Sequence, residues 1–125
     1  AQQVAGLARG LAAALGPEVA FVTGGTPGAQ ALFAESCGDD ARLWSLVPHG
    51  DESGCAAGRD VHAGEDLAGR QQVFCELGDL YVSVEGGQSV ALEARAAAAR
   101  GAIVVPLART GGASSGLFGF PAEAL

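Results

Sequence analysis

The chain lacks lysine and methionine altogether, and its 125 residues include only one tryptophan and one tyrosine. Without lysine there is no anchor for a Schiff-base cofactor, so pyridoxal-dependent chemistry is excluded. No apolar run approaches the length of a membrane span, and no signal peptide is recognisable, which predicts a cytoplasmic protein. Basic residues are scarce as well. The formal net charge of −7 argues against nucleic acid or an anionic membrane as a partner.

The length suits one domain with a real core, and we predict a single domain over residues 1–125. The spacing of the three cysteines fits neither a zinc site nor a disulfide framework, which predicts reduced thiols. His49 and His62 stand at the two ends of a long polar segment, but their spacing matches no metal motif. We therefore predict no metal site and no cofactor. The alanine at position 1, in a chain without methionine, suggests that the start of a longer chain is missing.

The hydrophobic pattern predicts alternating helices and strands. Apolar residues recur at helical spacing in the first segment, whereas β-branched runs mark the strands. The predicted helices cover residues 2–15, 28–37, 64–77 and 88–100, the predicted strands cover residues 19–23, 43–47, 79–84 and 102–107, and residues 49–63 are predicted to be a loop. This order indicates an α/β fold, a three-layer Rossmann-like sandwich with a mostly parallel sheet.

Three glycine-rich turns each follow a predicted strand. Such turns let the backbone approach a ligand, and the free N–H groups at the start of the following helix favour an anion. Parallel strands bring these turns to the carboxyl edge of the sheet, where α/β folds bind ligands. The predicted nucleotide- or phosphate-binding residues are Gly24, Gly25, Thr26 and Gly28 in the first turn, Gly86, Gly87, Gln88 and Ser89 in the second, and Thr110, Gly111 and Gly112 in the third.

Two charged side chains stand near these turns in the sequence. Glu93 lies about one turn into the helix that follows Gly87, and a carboxylate beside an anion site suggests chemistry on a phosphorylated sugar or nucleotide. Arg70 lies in the predicted third helix. From local sequence alone, solvated helix side chains are the favoured explanation for both residues.

At these residues the chain resembles the LOG family, a lysine decarboxylase-like group within the SLOG superfamily of nucleotide-ligand domains. The segment 85–93 (EGGQSVALE) is similar to the family motif Pro-Gly-Gly-x-Gly-Thr-x-x-Glu, and the segment 67–71 (LAGRQ) keeps the arginine of the motif Met-x-x-Arg-Lys. The segment 23–26 (TGGT) is also similar to a turn of the SLOG domains in TRPM channels. The resemblance covers roughly residues 5–110.

The resemblance implies a nucleoside 5′-monophosphate phosphoribohydrolase, which cleaves the N-glycosidic bond and releases a free base and ribose 5-phosphate. Arg70 and Glu93 would form its catalytic pair. Lysine decarboxylation itself is not expected. LOG-like proteins are commonly homodimers. Their first strand is central to the sheet and precedes the helix with which this chain begins. The resemblance therefore implies a dimer, and a strand that is missing here or supplied from elsewhere.

The chain departs from the family motifs at four positions: Glu85, Ser89, Val90 and Gln71 stand where the family has proline, glycine, threonine and lysine. Glu85 adds a negative charge beside the expected phosphate, and Gln71 removes a positive one. These departures favour a changed ligand or a lost activity. Two alternatives to an enzyme thus stay open, namely a non-catalytic module that senses a nucleotide derivative and a structural part of a larger protein.

Overall fold

The structure is a computed structural model that describes residues 2–38 and 40–125. These residues form four α-helices and five β-strands, which alternate except that β3 follows β2 directly. Their bounds are α1 Gln2–Ala14, β1 Phe21–Thr23, α2 Ala29–Cys37, β2 Leu43–Val47, β3 Arg59–His62, α3 Leu67–Leu77, β4 Leu80–Val84, α4 Gln88–Ala99 and β5 Ile103–Leu107. Short 3₁₀ turns cover Asp40–Arg42, Ala108–Thr110, Gly112–Ser115 and Ala122–Ala124. The chain divides into two compact units, residues 1–70 and 71–125, called here the N-terminal and C-terminal units.

The N-terminal unit is built on a parallel sheet in the order β1-β2-β3. β2 is central, and its near-continuous apolar run is buried at four of five positions, as expected for a strand covered on both faces. The helices α1 and α2 pack against each other. A core cluster forms from Ala8, Phe21, Ala34, Cys37 and Leu43. Small residues at Ala8 and Ala34 allow this close packing.

Arg42 fixes the end of α1. Its guanidinium donates to the carbonyl oxygens of Ala12 and Gly16 at 2.6 Å each and of Leu15 at 3.0 Å. The last carbonyl groups of a helix have no partner within the helix, so a cation there satisfies them and opposes the negative end of the helix dipole. The same guanidinium lies 4.9 Å from the centroid of the Phe21 ring. Arg42 thus ties α1 to the first strand.

The predicted loop over residues 49–63 is wrong at its end, because Arg59–His62 forms the strand β3. The strand pairs in parallel with β2, with Ser45 opposite Asp60 and Val47 opposite His62. Its side chains are mostly exposed, so it has no apolar alternation from which a strand could be predicted. Backbone pairing at the edge of a sheet tolerates this polar sequence. The element order therefore has five strands rather than four, with β2 and β3 consecutive.

The C-terminal unit contains the parallel pair β4-β5, joined by α4 as its crossover helix. Ala91, Ala94 and Ala97 form the buried face of α4, and a core cluster of this unit includes Ala113 and Phe120. Alanine has the highest helix propensity and lets a helix pack closely, so this composition serves both needs. Within this unit Arg100 donates to the carbonyl oxygen of Cys75 at 2.7 Å and thereby holds the end of α3.

The predicted α/β class with parallel strands is confirmed, with the strands distributed over two sheets. Most predicted elements are confirmed to within two residues, whereas α3 begins at Leu67 rather than at residue 64. The three cysteines, all among the described residues, lie outside any disulfide; Cys37 and Cys75 are buried and Cys55 is half-buried. Among the described residues, no helix combines the length and the hydropathy that crossing a membrane requires. The single domain over residues 1–125 stays a prediction.

Candidate functional site

The first glycine turn follows β1 directly. Thr23, the last residue of the strand, accepts a hydrogen bond from the Gly25 N–H at 3.2 Å through its Oγ1. Gly25 has φ of +68°, and a Cβ there would lie 3.0 Å from side-chain atoms of both Val47 and Ser53. A side chain at this position would therefore be strained and crowded. Gly28, with φ of +92°, is the N-cap of α2. The turn thus requires glycine at both of these predicted site positions for reasons internal to the unit.

Thr26 and Gln30 connect this turn to α2. The side-chain oxygen Oε1 of Gln30 accepts hydrogen bonds from the Thr26 N–H at 3.3 Å and from the Thr26 hydroxyl at 2.9 Å. The predicted site residue Thr26 is therefore held by hydrogen bonds to Gln30 of the helix that follows it, α2. Gln30 was not predicted as a site residue, although its position in the first turn of the helix after a glycine turn is a usable signal.

Arg70 lies against Gly24, and the contact explains why this position is glycine. A Cβ on Gly24 would lie 2.6 Å from Nη1 of Arg70 and 2.8 Å from Oε1 of Gln30. Arg70 is only 8% exposed, and its Nε has no hydrogen-bond partner. An unpaired polar group in this degree of burial costs free energy, and more so when it carries a charge. The structure thus brings two predicted site residues together, Gly24 and a buried arginine whose Nε is unsatisfied.

The start of α3 positions Arg70. Asp66 accepts a hydrogen bond from the Gly69 N–H at 2.8 Å through its carboxylate, which is a typical helix N-cap arrangement. The backbone of Gly64 packs against the backbone of Gly69 and Arg70 so closely that a Cβ on Gly64 would collide with it. Gly64 also has φ of +80°, which favours glycine. The arginine is consequently placed by a rigid turn.

In the C-terminal unit, the second and third glycine turns pack on each other. The Glu85 N–H donates to Oγ1 of Thr110 at 2.8 Å, and the Glu85 carbonyl oxygen accepts from the Ser114 N–H at 3.1 Å. The Gly86 carbonyl oxygen accepts from the Ala113 N–H at 2.8 Å. The parallel register explains this meeting, since the neighbouring strands β4 and β5 end side by side at these turns. Thr110 therefore has a structural partner in the second turn.

Close packing also explains two of the predicted site glycines. Gly86 has φ of +95°, and a Cβ on it would lie 2.6 Å from Cβ of Val90. A Cβ on Gly112 would collide with the carbonyl oxygen of Gly86. Gly111 and Gly87, in contrast, face open space, because a Cβ on either would meet nothing within 4 Å. Gly87 is the N-cap of α4, so the free surface of this turn lies at the start of α4, beside Gln88 and Ser89.

Glu93 is half-buried on α4 and lies next to Gln71. Nε2 of Gln71 is 3.4 Å from Oε2 of Glu93 and 3.4 Å from the carbonyl oxygen of Ser89. Gln71 stands where the LOG motif has lysine, and its neutral amide is a hydrogen-bond donor to the Glu93 carboxylate. This arrangement joins three positions singled out by the family motifs. Arg70 belongs to the N-terminal unit and Glu93 to the C-terminal unit.

Two features of the N-terminal unit were missed from the sequence. One is a cavity of about 310 Å³ between α2 and residues 53–56. The other is a clasp in which the Ser53 hydroxyl and N–H donate to the two carboxylate oxygens of Asp60 at 2.6 and 2.9 Å. Both hydrogen bonds hold the pKa of Asp60 below its ordinary value, and the one from the Ser53 hydroxyl has the larger effect.

The histidines of the polar segment do not form a metal centre. The rings of His49 and His62 are stacked with centroids 6.0 Å apart, and Nε2 of His62 lies 2.9 Å from the carbonyl oxygen of Asp51. In the part of the chain that the structure describes, no group of three or more histidine, cysteine or acidic side chains is arranged to hold a metal ion. The two rings therefore act as packing partners at the end of β3.

Comparisons with known proteins support the fold. No family model matches the chain, and no curated protein matches it. Among solved structures, the X-ray structure of TM1055, a Northeast Structural Genomics Consortium target, is similar with a TM-score of 0.76 and 25% sequence identity. The match covers 89% of this chain and 64% of that chain, so the present chain spans less than two thirds of its relative. The predicted Rossmann-like α/β fold is thereby confirmed.

Proposed function

We propose that the chain binds a nucleotide or another phosphoribosyl compound. The observation that carries the proposal is Arg70, a nine-tenths buried cation whose Nε lacks a partner and whose guanidinium lies against a glycine turn. A planar guanidinium binds phosphate oxygens or adjacent hydroxyl groups in a fork, and an anion there would offset the cost of its burial. The start of α4 at Gly87 and Ser89 offers a second set of donors suited to an anion.

The resemblance to the LOG family supports a reaction at such a ligand, hydrolysis of the N-glycosidic bond of a nucleoside 5′-monophosphate. Water adds to the anomeric carbon, the bond from that carbon to the base nitrogen breaks, and the base leaves with its bonding electrons and a proton. The transition state has oxocarbenium character, and Glu93 is the carboxylate proposed to stabilise this charge and orient the water. Gln71 is proposed to hold Glu93 in place, because its amide lies 3.4 Å from that carboxylate.

The second candidate function is a binding module without catalysis. It is favoured by the neutral amide of Gln71 beside Glu93 and by the turn at Glu85. Glu85 has φ of +52°, a conformation that proline cannot adopt, so the turn differs in backbone as well as in charge from the family motif. In this case the protein binds a nucleotide derivative, such as ADP-ribose, and leaves it intact.

The test combines turnover with thermal melting. AMP, isopentenyl-AMP and ADP-ribose are incubated with the protein, and free base and ribose phosphate are separated by chromatography. The enzyme proposal predicts base release that Arg70→Gln and Glu93→Gln abolish. The matched controls Arg9→Gln and Glu76→Gln, both at exposed positions, retain it. A ligand at about 100 times its Kd stabilises the folded protein by about 2.7 kcal/mol, which raises the melting temperature by several degrees.

Each outcome selects one function. Base release that survives Glu93→Gln contradicts the role of that carboxylate. A melting shift without base release supports the binding module. Neither a shift nor release with any of these ligands, in a protein that melts cooperatively, refutes nucleotide binding and leaves a structural role within a larger protein.

A further inference from the structure

The connection between β2 and β3 is a crossover without a helix. The two strands are parallel, so the chain has to return from the end of β2 to the start of β3 across one face of the sheet. A helix usually makes such a return, whereas residues 48–58 contain only turns, bends and irregular backbone. An extended segment thus stands where most parallel sheets have a helix.

The segment places only small side chains towards the interior. Between residues 53 and 57, half-buried positions alternate with exposed ones, and the half-buried residues are Ser53, Cys55 and Ala57. Cys55 and Ala57 pack against the core cluster of the N-terminal unit. Side chains of this size bury little apolar area, so the hydrophobic effect holds the segment weakly. A cavity of about 310 Å³ remains between α2 and residues 53–56.

Hydrogen bonds attach the middle of the segment to the fold at one place. In the described part of the chain, no backbone group of residues 52–57 bonds to the backbone of another element. The attachment is the Ser53–Asp60 clasp, in which the Ser53 hydroxyl and N–H donate to the carboxylate of Asp60. The Cys55 N–H donates to the Ser53 hydroxyl at 3.1 Å, so it depends on the same serine. Because its acceptor is charged, the clasp is about twice as strong as the same bonds between neutral groups.

Both ends of the segment are held independently of the clasp. Before it, the carbonyl oxygen of Asp51 lies 2.9 Å from Nε2 of His62 on β3. After it, Gly58 packs so closely on β2 that a Cβ there would lie 2.5 Å from the carbonyl oxygen of Leu43. Residues 52–57 can therefore leave the sheet while the strands on both sides stay paired. Local opening of this kind is expected where few apolar contacts are buried.

We propose that residues 52–57 form a lid on this cavity, which opens when the Ser53–Asp60 clasp breaks and closes when it re-forms. In the closed state Ser53 rests on the first glycine turn, because a Cβ on Gly25 would lie 3.0 Å from Cβ of Ser53. The lid is one wall of the cavity, so its opening widens the entry for a small molecule. This control of entry holds for any ligand of the cavity and does not depend on the proposed nucleotide binding.

Cys55 reports directly on the lid. It lines the cavity and is half-buried, whereas Cys37, in the core cluster of the same unit, is buried. Alkylation of both thiols by iodoacetamide is followed by peptide mass spectrometry at constant pH, because only the thiolate reacts. Opening of the lid exposes Cys55 alone, whereas unfolding of the unit exposes both thiols. We expect Cys55 to react more slowly than in the urea-unfolded protein, but about tenfold or more faster than Cys37.

The dependence on urea separates lid opening from unfolding. The effect of urea on an opening reaction scales with the surface that the reaction exposes. Opening of six residues exposes little surface, so the alkylation rate of Cys55 should stay nearly constant at urea concentrations below the unfolding transition. The rate of Cys37 should rise steeply over the same range, because this buried thiol becomes accessible only when the unit unfolds.

Substitutions of the clasp test what holds the lid. Asp60→Ala removes the acceptor of both hydrogen bonds and should speed alkylation of Cys55 about tenfold or more, without adding a dependence on urea. Ser53→Ala keeps the N–H donor and should have a smaller effect in the same direction, and it replaces Asp60→Ala if that variant does not fold. The control Asp51→Asn changes an exposed carboxylate that does not line the cavity and should leave the rate unchanged.

Three results would overturn the lid. If alkylation of Cys55 rises with urea as steeply as that of Cys37, the cavity opens only when the unit unfolds. If the clasp variants are folded and alkylate Cys55 at the wild-type rate, the clasp does not hold the segment. If wild-type Cys55 reacts as fast as in the unfolded protein, the segment is not closed. No nucleotide is present in these experiments, so their failure leaves the proposed function to its own test.

Discussion

Replacing Arg70 by methionine is expected to stabilise the ligand-free protein. Arg70 is nine-tenths buried as a residue and its Nε has no hydrogen-bond partner, so the folded state includes the cost of one unsatisfied buried N–H on a charged side chain. An unsatisfied buried polar group costs about 1–3 kcal/mol, and exchange of buried charges for apolar side chains of similar volume is often neutral or stabilising. Methionine keeps an unbranched apolar stem. We therefore expect the free energy of unfolding to rise by about 1–3 kcal/mol.

The measurement is urea denaturation without ligand, with Arg9→Met as the control. Arg9 is exposed on α1, so its substitution should change the free energy of unfolding by no more than about 0.5 kcal/mol. If AMP or ribose 5-phosphate raises the melting temperature of the wild type, as the proposed function expects, the same Arg70 variant should lose that shift. A gain in stability together with a loss of binding is the signature of a residue retained for a ligand.

A loss of stability would refute this reasoning. Removing one partner of a satisfied buried ion pair costs about 3–5 kcal/mol. If Arg70→Met lowers the free energy of unfolding by that amount, the guanidinium is a structural element of the folded chain. The burial of Arg70 would then no longer support the proposal that this side chain binds a ligand.

Three further predictions concern stability. Gly86→Ala should lower the free energy of unfolding, measured by urea denaturation, by about 2–4 kcal/mol, because it adds a strained backbone and a steric overlap. The control Gly87→Ala places its Cβ in open space and should lower it by about 1 kcal/mol or less. The hydrogen bonds from Ser53 lower the pKa of Asp60 in the folded state. Their contribution to the free energy of unfolding is therefore full above the ordinary pKa of the carboxyl group and is lost as the pH falls through the lowered pKa. The stability difference between wild type and Asp60→Asn should accordingly shrink from pH 6 to pH 3. Ser114→Ala should cost about 1–3 kcal/mol, because this fully buried hydroxyl lies 2.9 Å from two oxygen partners that would lose it.

The sequence predicted elements well where burial dictated their composition. β2 is confirmed at both ends, Leu43 and Val47, because a central parallel strand is covered on both faces and therefore has a near-continuous apolar sequence. β3 was missed because an edge strand needs only backbone hydrogen bonds, and its Arg-Asp-Val-His sequence has no apolar period. The start of α3 was placed too early, although Asp66 is a recognisable N-cap residue and Gly64 adopts a conformation incompatible with a helix.

The site was predictable only in part. The glycine turns follow strands, so their position was accessible from the alternation of elements. The cavity was not, because it lies between α2 and residues 53–56, a loop segment in which Ser53 is hydrogen-bonded to Asp60. No local pattern links a serine in a loop to an aspartate seven residues later. Similarly, no local hydrophobic pattern distinguishes the buried Arg70 from an exposed helix arginine such as Arg9, and only the resemblance to the LOG motif singled it out.

Not every glycine in the three turns is evidence of a binding site. A Cβ on Gly86 or Gly112 would overlap with atoms of the protein itself, so packing of one turn on another is sufficient reason for both glycines. Gly24 differs, because a Cβ there would overlap with the polar ends of two side chains, Arg70 and Gln30. Under the proposed function, these are the polar groups that a ligand would contact. We therefore expect Gly24→Ala to lower ligand affinity more than it lowers stability, whereas Gly86→Ala should do the reverse.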